Sequence, residues 1–190
     1  TASAQSARPR AVETLGCTSV ICSDKTGTLT LNQMTATKFL FEGTLHEVTG
    51  GGYSKNGSVG NLGAAHSDTL STTARGLALC ADAVVHHTVN GDDLVGDPTE
   101  GALIVLAEKL GVTIERVREE FPRIAEVPFD SATKYMATVH TFPLATEGNL
   151  VRIFVKGAPD VVMARCSQAL VDSGTTSMST ERSVFDDHYL

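Results

Sequence analysis

The sequence predicts a mixed α/β fold, and three observations carry that reading. The chain has 190 residues, 42% hydrophobic and 19% charged, which suits one packed domain or slightly more. Strand-like runs bounded by turn residues recur along it. Between them lie segments with helical apolar spacing and recognisable helix starts. Aromatic residues make up only 5% and Trp is absent, so the core must be built from Val, Leu, Ala and Ile. The net charge of −7 argues against general nucleic-acid binding. The longest apolar run, Ala102 to Ala107, is far short of the ~20 residues that a bilayer-spanning helix needs.

Residues 1–11 read as a small, polar tail or linker with no apolar signal segment. Thr18 to Ser23 reads as a short buried strand that runs into a loop punctuated by Gly27. Ala36 to Phe41 is strand-like, Glu42-Gly43 closes it, and Leu45 to Val48 is a hairpin partner. Residues 50–57 are loop by composition. Ser71 to Val85, with Ala74, Leu77, Ala78 and Ala81 at helical spacing, predicts a helix. Asp97 suits an N-cap, Pro98 the first helical position and Glu100 the closing member of a capping box. Leu103, Leu106, Ala107 and Leu110 then form the expected apolar face, and Gly111 stops the helix.

A short helix follows over Ile114 to Glu120, ended by Pro122. Three strand candidates come next: Ile124 to Val127, Tyr135 to Phe142 and Leu150 to Val155. Lys156 to Asp160 turns into a short helix through Ala164, Gln168 to Val171 is strand-like, and Ser179-Thr180-Glu181 opens a last helix. The four cysteines, Cys17, Cys22, Cys80 and Cys166, lack staple-like spacing and read as reduced, buried thiols. His86 and His87 read as surface residues at a strand end.

The chemistry centres on Asp24-Lys25-Thr26-Gly27-Thr28-Leu29-Thr30. An aspartate just past the carboxyl end of a buried strand lies where open α/β sheets bind ligands. Its carboxylate can attack phosphorus and hold an acyl phosphate. A hydroxyl-rich surface turn is the plainer reading. The seven-residue string resembles the phosphorylation signature of the P-type ATPases, ion pumps that cycle through an aspartyl phosphate. The flanking Val12 to Thr18 and Leu31-Asn32-Gln33-Met34 look like the type-2 pumps, which move calcium, sodium, potassium or protons. The resemblance implies that Asp24 is phosphorylated by ATP, and that its carboxylate and the Thr26 backbone carbonyl hold Mg²⁺. In related haloacid-dehalogenase phosphatases a second Asp usually stands where Thr26 is. Without that general base, an aspartyl phosphate should persist long enough to be coupled to transport.

Three more strings look like this family's nucleotide domain. Gly96 to Leu103 is a complete helix start in itself, and the resemblance adds that Glu100 reaches the adenine amino group. In Pro128-Phe129-Asp130-Ser131-Ala132-Thr133-Lys134 the Phe would ordinarily be core. The resemblance makes Phe129 the adenine stack and places Lys134 near the nucleotide. Ser131-Ala132-Thr133 departs from the charged residues common there, so phosphate steering should be weaker. Lys156-Gly157-Ala158-Pro159-Asp160 is a strand-to-helix turn by itself. By resemblance, the Lys156 ammonium and Gly157 backbone form the floor of the ATP pocket.

What the resemblance implies is therefore specific. Residues 12–34 would be the first part of a Rossmann-like, haloacid-dehalogenase-type phosphorylation domain. Residues 35–190 would be a nucleotide-binding domain, an antiparallel sheet flanked by helices, C-terminally incomplete. The partners are ATP and the remaining actuator, phosphorylation and transmembrane domains of a pump at the cytoplasmic face of a membrane, with no nucleic acid and no direct membrane contact by this piece. Alone it should bind ATP at most. A soluble haloacid-dehalogenase-type phosphatase and a nucleotide-binding module with a vestigial site are the alternatives.

Overall fold

The computed structural model describes residues 19, 20, 22, 30–62, 68–89, 91–143, 148–171 and 174–189. The chain divides into two units, Thr1–Asn32 and Gln33–Leu190, and the architecture below is that of the second. Asp24, Thr26 and half of the expected first strand (Thr18, Ile21 and Ser23) lie outside the described residues. The described Ser19, Val20 and Cys22 are in no strand and are exposed, so the expected buried strand is not seen there.

The elements are β1 (Lys38–Phe41), β2 (Thr44–Glu47), α1 (Asp68–Leu79), β3 (Val84–Thr88), β4 (Gly91–Val95), α2 (Pro98–Lys109), α3 (Ile114–Glu120), β5 (Arg123–Asp130), β6 (Tyr135–Pro143), β7 (Asn149–Gly157), α4 (Pro159–Met163), β8 (Gln168–Val171), β9 (Gly174–Ser177) and α5 (Met178–Tyr189). Every pairing is antiparallel. The mixed α/β fold therefore holds, with the strands divided among hairpins β1-β2, β3-β4 and β8-β9 and a three-stranded sheet β5-β6-β7.

The core lies where α1, α2 and α3 meet the inner face of β6. Leu70, Ala74 and Ala78 recur at i, i+4 and i+8 and bury one stripe of α1. Ala78, Leu79, Ile104, Val105, Ile114, Val117, Phe121 and Phe142 form one cluster with Tyr53, which the loop at 50–57 carries inward. Phe121 stacks on Phe142 with ring centroids 4.1 Å apart. Along β6 the residues Met136, Thr138, His140 and Phe142 alternate inward and are buried. On the opposite face of this sheet Val127, Val151, Ile153 and Val155 are exposed.

Several expectations need correcting. The helix over Ser71 to Val85 ends at Leu79, because residues 80–83 leave it and Val84 and Val85 enter β3. The capping box forms only by half. Asp97 accepts from the Thr99 and Glu100 amides, at 2.8 and 3.2 Å, while the Glu100 carboxylate turns away to other partners. On α2 the buried set is Gly101, Ala102, Ile104, Val105, Leu106 and Ala107 rather than the stripe through Leu103 and Leu110, because the helix is covered on more than one side. Of the described cysteines only Cys80 is buried, and Cys22 and Cys166 are exposed. Burial pushes the Cys80 thiol up, and hydrogen bonds and nearby cations offset only part of that.

Candidate functional site

The three-stranded sheet sets the site. Val127 pairs with Ala137 and Asp130 with Tyr135, so one extra residue bulges out of β5 just before the turn. Asp130 shares the Tyr135 face, and its neighbour Phe129 therefore shares the face of Met136 and of Lys156, which pairs with Met136. With two strand spacings between them, the Phe129 and Lys156 backbones lie about 10 Å apart. Phe129 is 60% exposed, so its ring is presented to solvent rather than packed as core.

The turn from β5 to β6 is tightly organised. Asp130 accepts from the Ala132 amide at 2.6 Å through its side chain and from the Lys134 amide at 2.7 Å through its carbonyl. Lys134 adopts the left-handed conformation at φ 59°, and its carbonyl accepts from the Ala158 amide at 2.9 Å. A Cβ at position 157 would overlap that same carbonyl oxygen and come within 2.7 Å of the Tyr135 Cβ. Gly157 is thus required for β7 to close against the turn carrying Lys134. The exposed turn 131–134 carries one cation, Lys134.

Glu100 joins this face from α2, where Asp97 and Pro98 start the helix. Lys156 Nζ donates to Glu100 Oε1 at 2.5 Å, and both side chains are largely buried. Glu100 Oε2 accepts from the Asp82 and Ala83 amides at 2.8 and 2.9 Å. The carboxylate therefore ties α2, the 80–83 segment and β7 together. Residues Cys80 to Ala83 carry no motif, and the sequence offers no sign that they belong to the site; the Glu100 carboxylate that the Asp82 and Ala83 amides bond is 17 or more positions away.

The arrangement combines an open aromatic face, an ammonium held by a carboxylate and a close-packed glycine. That set can stack on a planar ring and attract an anion. The fold bonds Lys156 to Glu100 and puts Phe129 on the same sheet face; Gly157 pairs with Tyr135 on the other face, where it closes against the Lys134 carbonyl. Asp24 and Thr26 fall outside the described residues.

A second concentration of charge lies at the C-terminal end of α2, the opposite end from Glu100. His87 is partly buried, not a plain surface residue. Its Nδ1 lies 2.6 Å from Asp92 Oδ1, and its Nε2 lies 3.1 Å from both Glu108 carboxylate oxygens. Burial pulls the imidazole down, but the two carboxylates outweigh it and leave the His87 pKa raised. A cavity of about 620 Å³ borders this cluster, lined by Lys55, His86, His87, Glu108 and Glu115 among others. Among the described residues no group of three or more His, Cys, Asp or Glu side chains is placed to hold a metal ion, and no helix is long and apolar enough to cross a membrane.

Comparison with known proteins adds an independent line. The family described as "P-type ATPase, cytoplasmic domain N" matches residues 69–187. The chain is 39% identical to the cation-transporting ATPase pma1 of Synechocystis sp. over 86% of its length. It is 39% identical to a calcium-transporting ATPase of Bacillus subtilis over 90%. It is 34% identical to a sodium/potassium-transporting ATPase subunit alpha-1 of Catostomus commersonii over 95%. It spans 18%, 19% and 18% of those relatives.

Proposed function

The chain belongs to the P-type ATPases, matched in their cytoplasmic domain N, and on that premise we propose that it binds ATP on the face shared by Phe129, Lys156 and Glu100. The observation that carries this reading is Phe129. A large apolar ring stands 60% exposed on the same sheet face as a carboxylate-held ammonium. An adenine stacked on Phe129 would have Glu100 within its reach through the lone pairs that Lys156 leaves unused on Oε1. Lys156 and Lys134 supply positive charge for the phosphates, and the Gly157 backbone is the proposed floor of the pocket.

Within the whole protein, residues 12–34 would start the phosphorylation domain and residues 35–190 would present the nucleotide to it. The Asp24 carboxylate oxygen would bond to the γ-phosphorus as the bond to the β-γ bridging oxygen breaks and ADP leaves. Mg²⁺, held by the Asp24 carboxylate and the Thr26 carbonyl, would supply charge neutralisation at the transferred group. Thr26 provides no carboxylate to activate water, so the aspartyl phosphate would survive for coupling to cation movement. The actuator and transmembrane domains of the parent, at the cytoplasmic face of its membrane, are the proposed partners. The relatives' names include calcium and sodium/potassium transport, and the proposal for this chain is transport of a cation.

Calorimetric titration of ATP into the chain tests the binding step. The expected result is weak, saturable binding that Lys156→Ala abolishes. Absence of binding at millimolar ATP, or equal binding by the variant, would overturn it.

A further inference from the structure

Residues 78–83 form a strip of main chain with its two edges spent on opposite charges. Along one edge, Arg118 donates from Nε to the Ala78 carbonyl at 3.3 Å, and from one terminal nitrogen to the carbonyls of Ala81 and Ala83 at 2.8 and 3.1 Å. Arg123 adds bonds to the Leu79 and Ala81 carbonyls, each at 3.1 Å, while its other nitrogen is paired with Asp82 and Glu126. Along the other edge, the Asp82 and Ala83 amides both point at Glu100 Oε2. The remaining Glu100 oxygen holds Lys156.

Arg118 comes from α3, and its described hydrogen-bond partners are all main-chain carbonyls. Two guanidinium groups so close together repel, and the convergent carbonyls of residues 78–83, with the Asp82 and Glu126 carboxylates on Arg123, offset that repulsion. The planar fork fixes three carbonyls at once. The Ala81 carbonyl shares its peptide plane with the Asp82 amide and so sets that amide's direction, and the Ala83 amide follows in the next peptide, between the held Ala81 and Ala83 carbonyls. Those amides fix the Glu100 carboxylate, and the carboxylate fixes the Lys156 ammonium. Ala81 and Ala83 are buried, at 1% and 0% exposure, so the strip has little room to shift by itself.

We propose that Arg118 is a positioning residue for the nucleotide face, setting the Glu100–Lys156 pair through the main chain of residues 78–83. The proposal rests on the reading of that face as the ATP site. A helix cap that served stability alone would leave Lys156 unaffected in the folded variant.

The test uses Arg118→Met and Arg118→Lys, each with and without Glu100→Gln. Two readouts are recorded: the Lys156 ammonium resonance in nitrogen-15-labelled protein without nucleotide, and ATP affinity. Arg118→Met should shift or broaden the Lys156 resonance and weaken ATP binding about tenfold, the factor for about one lost charge-assisted hydrogen bond. In the Glu100→Gln background the same substitution should change affinity by less than about twofold, because the relay is already cut. Arg118→Lys, which reaches one carbonyl in place of three, should restore only part of both signals, and it decides the matter if the Met variant does not fold. An unchanged Lys156 resonance in a folded variant, or an equal loss of affinity in both backgrounds, would overturn the proposal. If the unsubstituted chain binds no ATP, the nucleotide reading fails, and the Lys156 resonance alone still decides the role of Arg118.

Discussion

Replacing Phe129 with Ala separates a binding residue from a core residue, and the structure gives the size of both effects. The ring is 60% exposed. With roughly 200 Å² on a phenylalanine, about 120 Å² faces water and about 80 Å² is already covered. A purine stacked on one ring face would cover about half of the exposed part, about 60 Å², or ~1.5 kcal/mol at ~25 cal/mol per Å². That lies inside the ~1–3 kcal/mol typical of a base on an aromatic ring, and predicts a rise in Kd of about tenfold. The cost to the fold is bounded by the area already buried, at most about 2 kcal/mol, against ~3–5 kcal/mol for a fully buried phenylalanine. Calorimetric ATP titration and thermal unfolding of the same samples measure both. A Kd within about twofold of the parent, or a stability loss above ~3 kcal/mol, would show that Phe129 packs and does not bind.

Gly157→Ala should destabilise the chain by about 1–3 kcal/mol, because its Cβ meets the fixed carbonyl of Lys134. An unchanged thermal midpoint would mean that the 131–134 turn yields freely. His87, with its pKa raised above 6.5 by Asp92 and Glu108 against the pull of burial, stabilises the fold fully below that value and loses its contribution as pH rises through the folded pKa. Burial and the Arg123 charge lower His140 against its bond to the Phe121 carbonyl, so its contribution is lost in the other direction, as pH falls below 6.5. Denaturant unfolding across pH should show His87→Gln flattening only the alkaline side, and a flattened acid side instead would reverse the assignment. In the whole protein, Asp24→Asn should abolish the acid-stable phosphoenzyme while ATP still binds, since an amide is too poor a nucleophile to attack phosphorus. A phosphoenzyme in that variant would show that another residue is the nucleophile.

Local signals were legible wherever the chemistry is local. Asp97-Pro98 starts α2 as its residue types require, and the turn between Phe41 and Leu45 closes β1 on β2. Hairpin β3-β4 was hidden because Val84 and Val85 continue the apolar spacing of α1, and a short apolar run does not separate helix from strand. At the site, resemblance singled out Glu100, Phe129 and Lys156, but residue types alone did not say that the first and last are bonded to each other. Glu100 fitted a capping box, and only the packed 80–83 amides draw its carboxylate elsewhere. Arg118 sat unremarked in a short helix because its partners are backbone carbonyls, which every sequence contains.

Mapping amide shifts during an ATP titration reports where ATP binds on the chain as well as whether it binds. Shifts should concentrate at Phe129, Lys134, Lys156, Gly157 and Glu100, spread to the Asp82 and Ala83 amides that Glu100 holds, and spare the His87–Glu108 end of α2. No shifts at millimolar ATP, or shifts centred on the cavity beside His87, would contradict ATP binding on the Phe129 face.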